Sequence, residues 1–238
     1  MKYWDKALTL TSGCTKISPA CLHCWAETNH NRFMRRANKK YDHDFSEVRV
    51  HDNFEVCYKN KKGKVFAIWN DLFHESIGIE FIQEAFNHMG YLKHHTFLVC
   101  TKRPHRIEEV LYGSEGDFYM GGGDYLPNVF LGTTVESQDF VYRASDLTTI
   151  HAPNLFLSVE PMLSAITIPQ DILKEYAYII TGCESGTQAR ETKEEWVRDL
   201  RNQCLEAGVP LWVKQLRVNG KMCYNHSLST INVEDLWK

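Results

Sequence analysis

Three cysteines lie close together near the start of the 238-residue chain. Cys14 and Cys21 are separated by six residues, and Cys21 and Cys24 by two. A structural zinc ion takes four ligands, whereas three thiolates on a cluster of four irons leave one iron open to another molecule. The three cysteines therefore predict an iron–sulfur cluster with one open iron. A zinc site completed by His23 or His30 is the alternative.

The strands that must position these cysteines are predicted from short apolar runs in the sequence. These runs are rich in β-branched and aromatic residues, a composition typical of buried strands. Seven such runs are predicted strands: Ala7–Thr11, Val65–Trp69, Thr96–Thr101, Val129–Thr134, Leu155–Val159, Tyr178–Thr181 and Pro210–Lys214. Helical patterns lie between them, at Trp25–Asn38, Ile79–Met89, His105–Leu111, Gln138–Leu147, Ile172–Glu175 and Lys193–Ala207.

Strands that alternate with helices predict βαβ units and a parallel sheet. Seven such units favour an α/β fold with a partial or full TIM-like barrel, and an open doubly wound sheet is the alternative. The length fits a single barrel domain over residues 1–238. Within it, we expect a basic insertion at about 38–64 and an irregular C-terminal tail at 216–238.

Polar residues follow the predicted strands, and in a barrel such positions meet at the rim where chemistry takes place. Glu160 and Glu184 are predicted to recognise a cationic group or to transfer protons, as catalytic residues. Lys214 is predicted to act with them, and a structural role as their counter-ion is the alternative. The other polar residues at strand ends include Asp71, Lys102, Arg103, Thr134, Glu136 and Ser158.

The net charge of −3 hides a local excess of positive charge. Between Arg32 and Lys64 there are ten Lys or Arg residues and five acids. The overall charge argues against a dedicated tight DNA-binding protein, but the basic segment permits contact with an anionic partner through one face. A solvated basic loop is the alternative. The composition is that of an ordinary globular protein, and the sequence shows neither a signal peptide nor a membrane span, so we expect a cytoplasmic protein.

The run Thr11–Glu27, which holds the three cysteines, resembles the signature of a phage and prophage three-cysteine family that is related to radical S-adenosylmethionine (SAM) proteins. Further matches lie in the same order along the chain, at Asn70–Glu75, Thr101–Pro104, Leu131–Glu136, Leu157–Pro161, Gly182–Gly186 and Gly208–Gln215. The chain departs from the pattern at two positions. Trp25 stands where the family usually has tyrosine, and Cys183 where it usually has glycine.

The resemblance implies a 4Fe-4S cluster on Cys14, Cys21 and Cys24, with SAM on the open iron. His23 would contact the adenine of SAM, and Asp71 would hold its amino group, with a role as a helix N-cap as the alternative for Asp71. Lys102 and Arg103 would bind the SAM carboxylate or a substrate phosphate. Thr134, Glu136 and Ser158 would bind ribose hydroxyls.

Members of this family resemble enzymes that hypermodify thymidine in phage DNA. One such step isomerises a glycine-substituted thymidine by moving the glycyl group from nitrogen to carbon. The resemblance therefore implies a radical SAM isomerase that acts on a modified thymidine, in DNA or as a nucleotide, with an electron donor and in the host cytoplasm if a phage encodes it. A base in DNA would have to be flipped out, and phosphates would be held by Arg32, Arg35, Arg36, Lys39 and Lys40.

Two other functional classes fit the residues. The first is a zinc- or cluster-bearing nucleic-acid-binding protein without radical chemistry, which would not need a ring of polar strand ends. The second is a barrel hydrolase or lyase that uses Glu160 and Glu184 and carries a structural metal at the cysteines. It would work in air and without SAM.

Overall fold

The computed structural model describes residues 2–112, 126–150, 152–224 and 226–237. The chain forms two compact units. The first unit is Trp4–Phe130, and the second is Leu131–Lys238 together with Met1–Tyr3. The expectation of one domain over residues 1–238 stays a prediction. Within the described ranges, no helix is long and apolar enough to cross a membrane.

The first unit is built on parallel strands. β1 (Lys6–Ala7) pairs with β4 (Val65–Ile68), and β4 pairs with β5 (Thr96–Thr101). β6 (Val129–Thr134) begins in this unit and follows β5 in the strand order. The side chains of β4 and β5 are almost entirely buried, as expected of a parallel sheet covered on both faces.

Two very short strands of the first unit hold the start of the cysteine loop. β2 (Thr11–Ser12) pairs antiparallel with β3 (Arg49–Val50), which lies in the predicted insertion. The amide of His51 also donates to the carbonyl of Leu10, at 2.8 Å. The insertion is thus tied by backbone hydrogen bonds to the residues that precede Cys14.

Helices of the first unit follow its strands. The run after the cysteines begins with α1 (Trp25–Asn29), continues through a π-helical turn at His30–Met34, and ends with α2 (Arg35–Ala37). The other helices are α3 (Glu55–Tyr58), α4 (Ile79–Tyr91) and α5 (His105–Tyr112). α4 buries Ile82, Ala85, Phe86 and Met89, which recur with the period of a helix on one apolar face.

The second unit continues the parallel order. β6 pairs with β7 (Leu155–Val159), β7 with β8 (Tyr178–Gly182), and β8 with β9 (Leu211–Val218). β10 (Lys221–Tyr224) then pairs antiparallel with β9. The helices of this unit are α6 (Tyr142–Thr148), α7 (Gln170–Leu173) and α8 (Glu194–Ala207).

The predicted TIM-like barrel, partial or full, is wrong, although the α/β class is right. A TIM barrel closes a ring of eight parallel strands. Here the eight-stranded order begins at β1 and ends at β10, and β10 is antiparallel to its neighbour. The physical reason is a two-residue turn at Asn219 and Gly220, both with positive φ, which is typical of a tight hairpin. This turn reverses the chain within a tail that was expected to be irregular.

Candidate functional site

The cysteine loop begins with a glycine that the backbone requires. Gly13 has a φ of +81°, and a Cβ at this position would overlap the carbonyl oxygen of Glu47. The next residue, Cys14, donates its amide to the carbonyl of Phe45, at 2.7 Å. The close approach of Gly13 to the insertion therefore sets the position from which the Cys14 side chain leaves the backbone.

The thiols of Cys14, Cys21 and Cys24 are partly buried, and none forms a disulfide within the described part of the chain. Burial is the largest effect on Cys14 and, with the Asp71 carboxylate, raises its pKa to about 11. The charge of Cys21 also raises the pKa of Cys14, so these two thiols lie within electrostatic reach of each other.

Cys21 differs from Cys14 because its surroundings favour the thiolate. Burial opposes its ionisation, but hydrogen bonds from Ile17 and Ser18 and the positive charge of Lys102 hold its pKa below the usual value. The Ser18 hydroxyl lies 3.7 Å from the Cys21 sulfur. The positive charge of Lys102, which follows β5, thus acts on a thiol of the cysteine loop, and its predicted role toward SAM or a phosphate stays a prediction.

Arg103 is the centre of a buried network beside Cys14. Its side chain is only 1% exposed. Its guanidinium contacts Asp71 at 2.6 Å and Glu75 at 2.7 Å, donates to the Thr15 hydroxyl at 2.9 Å, and reaches the Cys14 sulfur at 3.9 Å. Burial alone would lower the pKa of Arg103, but the two carboxylates raise it, so the guanidinium remains charged.

Asp71 is fully engaged in the same network. Its carboxylate accepts from the Thr101 hydroxyl at 2.5 Å and from the amides of Phe73 and Lys102, in addition to the Arg103 ion pair. The hydrogen bond from Phe73, two residues ahead, is the local bond that an aspartate makes at a turn. Asp71 and Arg103 therefore satisfy each other, and their predicted roles toward SAM stay predictions.

Thr15, His74 and Glu75 also join the network, and none of them was predicted from the sequence as a site residue. The Thr15 hydroxyl lies 2.8 Å from the His74 ring nitrogen Nε2, and His74 is buried. Burial is the main cause that lowers the pKa of His74, and the Arg103 charge adds to it. Glu75 binds Arg103 although its own side chain is 57% exposed. Their nearness in sequence to Cys14 and Asp71 was the available signal.

The two histidines considered as a fourth zinc ligand lie in different surroundings. His30 is buried, and its Nε2 lies 2.9 Å from the carbonyl oxygen of His43. His23 is partly buried within the cysteine loop itself. Across residues 2–112, 126–150, 152–224 and 226–237, no three His, Cys, Asp or Glu side chains are arranged to hold a metal ion.

The predicted catalytic residues all lie in the second unit and form separate pairs. Glu160 and Lys214 are brought together, with Oε1 and Nζ 2.5 Å apart and both side chains partly buried. Glu184 instead pairs with Arg190, which binds it through both its backbone amide and its guanidinium. Their catalytic roles stay predictions, and the structure gives Glu160 and Lys214 the mutual contact that the counter-ion alternative expects.

The residues predicted to bind ribose hydroxyls are buried in the same unit. Thr134 and Ser158 are register partners on β6 and β7. Glu136 is completely buried and forms an ion pair with Arg143 at 3.0 Å. Arg143 also donates to the carbonyl of Thr134. Glu136 thus has a structural partner, and its predicted role in ribose binding stays a prediction.

The basic residues predicted to hold phosphates fall into two groups. Arg35 is partly buried and forms ion pairs with Asp42 and Asp44. The other four are exposed: Arg32, Arg36, Lys39 and Lys40. Among their side chains, that of Lys40 alone forms a hydrogen bond in the described ranges, to the side-chain oxygen of Asn53 at 3.1 Å.

Comparison with known proteins gives one match. No curated protein and no solved structure matches the chain. A family model described as a protein of unknown function, DUF5131, matches residues 1–228. Since that match spans nearly the whole sequence, the chain belongs to the DUF5131 family.

Proposed function

We propose that the chain binds a 4Fe-4S cluster through Cys14, Cys21 and Cys24 and acts as a radical SAM enzyme. The observation that carries this proposal is the surroundings of the cysteine loop. Three partly buried thiols occur on one loop. The Arg103 guanidinium reaches the Cys14 sulfur at 3.9 Å, although burial and Asp71 keep the pKa of Cys14 raised, and Lys102 helps to lower the pKa of Cys21. Thiolate ligands are anionic, so neighbouring cations favour the deprotonated state that a metal requires.

The residues fit a cluster better than a closed zinc site. A structural zinc ion needs a fourth ligand, and of the two ring nitrogens of the candidate His30, Nε2 is engaged by the carbonyl of His43, while Nδ1 is buried without a hydrogen-bond partner among the described residues. An open cluster needs only three thiolates. When bound, the cluster would supply the electron that cleaves SAM and so permits abstraction of a hydrogen atom from a substrate.

Other residues of the first unit would position the cysteine loop and bind SAM. Arg103 and Asp71 would fix the loop around Cys14 and Thr15 through their buried ion pair. Lys102 forms no ion pair with the described residues and would bind the carboxylate of SAM as a point charge. Among the two cations that follow β5, it is the one with free hydrogen-bonding capacity.

The proposed substrate is a glycine-substituted thymidine, which the enzyme would isomerise in phage DNA hypermodification. The glycyl group carries an amine and a carboxylate. We propose that Arg32, Arg35, Arg36, Lys39 and Lys40 hold the phosphates of this DNA.

The first experiment tests the cluster. The protein is reconstituted anaerobically, its iron, sulfide and zinc are measured, and the reduced protein is studied by electron paramagnetic resonance with and without SAM. We expect about four irons per chain and a signal that SAM changes. Cys21→Ala should lose the iron, whereas Cys223→Ala, a partly buried cysteine on β10, should retain it. Stoichiometric zinc without iron would overturn the proposal in favour of a zinc-bearing nucleic-acid-binding protein.

The second experiment tests the substrate. The reconstituted enzyme is incubated with SAM, a reductant and DNA that contains glycine-substituted thymidine, and the nucleosides are separated and weighed by mass spectrometry. Isomerisation should give a product of unchanged mass and altered retention. Cleavage of SAM without such a product would retain the radical SAM assignment and refute this substrate.

A further inference from the structure

The helical run that follows the cysteines carries an exposed surface of aromatic and basic side chains. Leu22, Trp25 and Phe33 are 62%, 56% and 64% exposed. Trp25 and Phe33 lie in this run together with Arg32 and Arg36, which are also exposed, and Leu22 precedes the run, between Cys21 and Cys24. We call these five residues the aromatic–basic face. Large apolar side chains in a group on a surface mark an interaction site more often than scattered ones do.

The positive charges of this face are not neutralised by the acids near them. Glu27 pairs with Lys16 at 3.0 Å, and Asp42 and Asp44 pair with Arg35. Arg32 and Arg36 have no ion pair or hydrogen-bonded side-chain partner within the described residues. The local acids are thus occupied by other cations, and the guanidinium groups of the face remain available to an anionic partner.

The combination of aromatic and basic side chains on this face favours one kind of anionic partner over others. Duplex DNA offers phosphates to basic residues, but its bases are stacked on each other and do not need aromatic side chains. A single strand offers both phosphates and exposed base faces, and proteins bind it with cationic groups and stacking aromatic rings together. A membrane-bound helix carries a larger continuous apolar face than the three side chains present here.

We propose that the aromatic–basic face binds an unpaired segment of a DNA strand, with Trp25 and Phe33 stacking on bases and Arg32 and Arg36 contacting phosphates. This deepens the proposed function, because it rests on DNA as the substrate. Leu22 lies between Cys21 and Cys24 and Trp25 directly follows Cys24, so a nucleotide flipped out of a duplex would leave unpaired neighbours close to the cysteine loop. Binding an opened strand would also reduce the cost of flipping.

The test measures binding of the reconstituted protein to a labelled oligothymidylate and to a duplex by fluorescence anisotropy. Phe33→Ala should weaken binding of the single strand about tenfold and leave duplex binding nearly unchanged. Tyr91→Ala is the matched control, since Tyr91 is an exposed aromatic residue of α4 in the same unit. Phe33 is preferred to Trp25 as the principal variant because Trp25 adjoins a predicted cluster ligand.

A salt series tests the phosphate contacts. In the Arg32→Gln/Arg36→Gln variant, the slope of log affinity against log salt should fall by about 1.4, from about 0.7 for each lost contact to a single strand. Lys93→Gln, an exposed cation elsewhere in the first unit, is the control. Thermal unfolding and iron content should be unchanged in all variants.

Three outcomes would overturn the inference. They are equal binding of single strand and duplex, equal effects of Phe33→Ala and Tyr91→Ala, and binding of anionic vesicles or a second copy of the chain through this face instead of DNA. In each case an intact iron content with a SAM-dependent signal would leave the proposed radical SAM function standing. Loss of that signal in the wild-type protein would instead count against the function itself.

Discussion

Replacing Arg103 with methionine tests whether the buried network stabilises the first unit. The Arg103 side chain is 1% exposed and that of its partner Asp71 is 9% exposed. Methionine preserves most of the apolar length but leaves the Asp71 carboxylate without its counter-charge. Removing one partner of a buried ion pair costs about 3–5 kcal/mol of unfolding free energy. For a chain of this size, that corresponds to a fall in melting temperature of about 6–20 °C.

Two further variants separate the ion pair from other effects of the substitution. Asp71→Asn combined with Arg103→Met removes both charges, so the double variant should be more stable than Arg103→Met alone. Glu75→Gln breaks the contact of Arg103 with a carboxylate that is 57% exposed, and should therefore cost less than about 1 kcal/mol.

The measurement is urea unfolding of metal-free protein under identical conditions, followed by circular dichroism. The reasoning is refuted if Arg103→Met costs less than Glu75→Gln. It is also refuted if the double variant is no more stable than Arg103→Met, because then the loss would come from packing and not from the uncompensated charge.

Two other predictions follow from the same unit. Burial lowers the pKa of His51 to about 4. Since the unfolded histidine binds a proton near pH 6.5, the unfolding free energy should fall as the pH drops from about 6.5 toward 4. His51→Gln should flatten this dependence in a pH series of urea unfolding, and an unchanged dependence would contradict the prediction. Gly13→Ala should lower the unfolding free energy by more than the roughly 1–2 kcal/mol that a left-handed backbone alone costs, because the added Cβ would meet the Glu47 carbonyl. Gly208 has a similar φ and no atom near the position of a Cβ, so Gly208→Ala should show only the backbone cost. Equal losses of unfolding free energy in the two variants would contradict the close approach of Gly13 to Glu47.

The buried parallel strands could be predicted from sequence because their apolar runs are continuous. The runs Thr96–Thr101, Val129–Thr134 and Leu155–Val159 have the same bounds in the structure. The end of the sheet was harder, because β10 carries only one fully apolar residue, Met222, among polar and aromatic ones. The Asn219–Gly220 pair, which reverses the chain, was the signal that predicts a hairpin there.

Local sequence signals also fail where a tertiary contact competes for the same side chain. Thr192 followed by Glu195 predicts a capping box at the start of α8. In the structure the residue before the helix is Lys193, and the Thr192 hydroxyl donates to the carbonyl of Met162, at 2.7 Å. Thr192 is buried, so its hydroxyl needs a partner wherever the fold places one.

The same distinction applies to the candidate site. The spacing of Cys14, Cys21 and Cys24 and the polar end of β5 could be found in the sequence, because both are local features. The ion pair of Asp71 with Arg103 could not, since it depends on side chains that are 32 residues apart. This ion pair limits what Arg103 can bind. A guanidinium that already binds two carboxylates and the Thr15 hydroxyl has little capacity left for a ligand. The predicted role of Arg103 toward SAM therefore competes with a structural role that only the folded chain reveals.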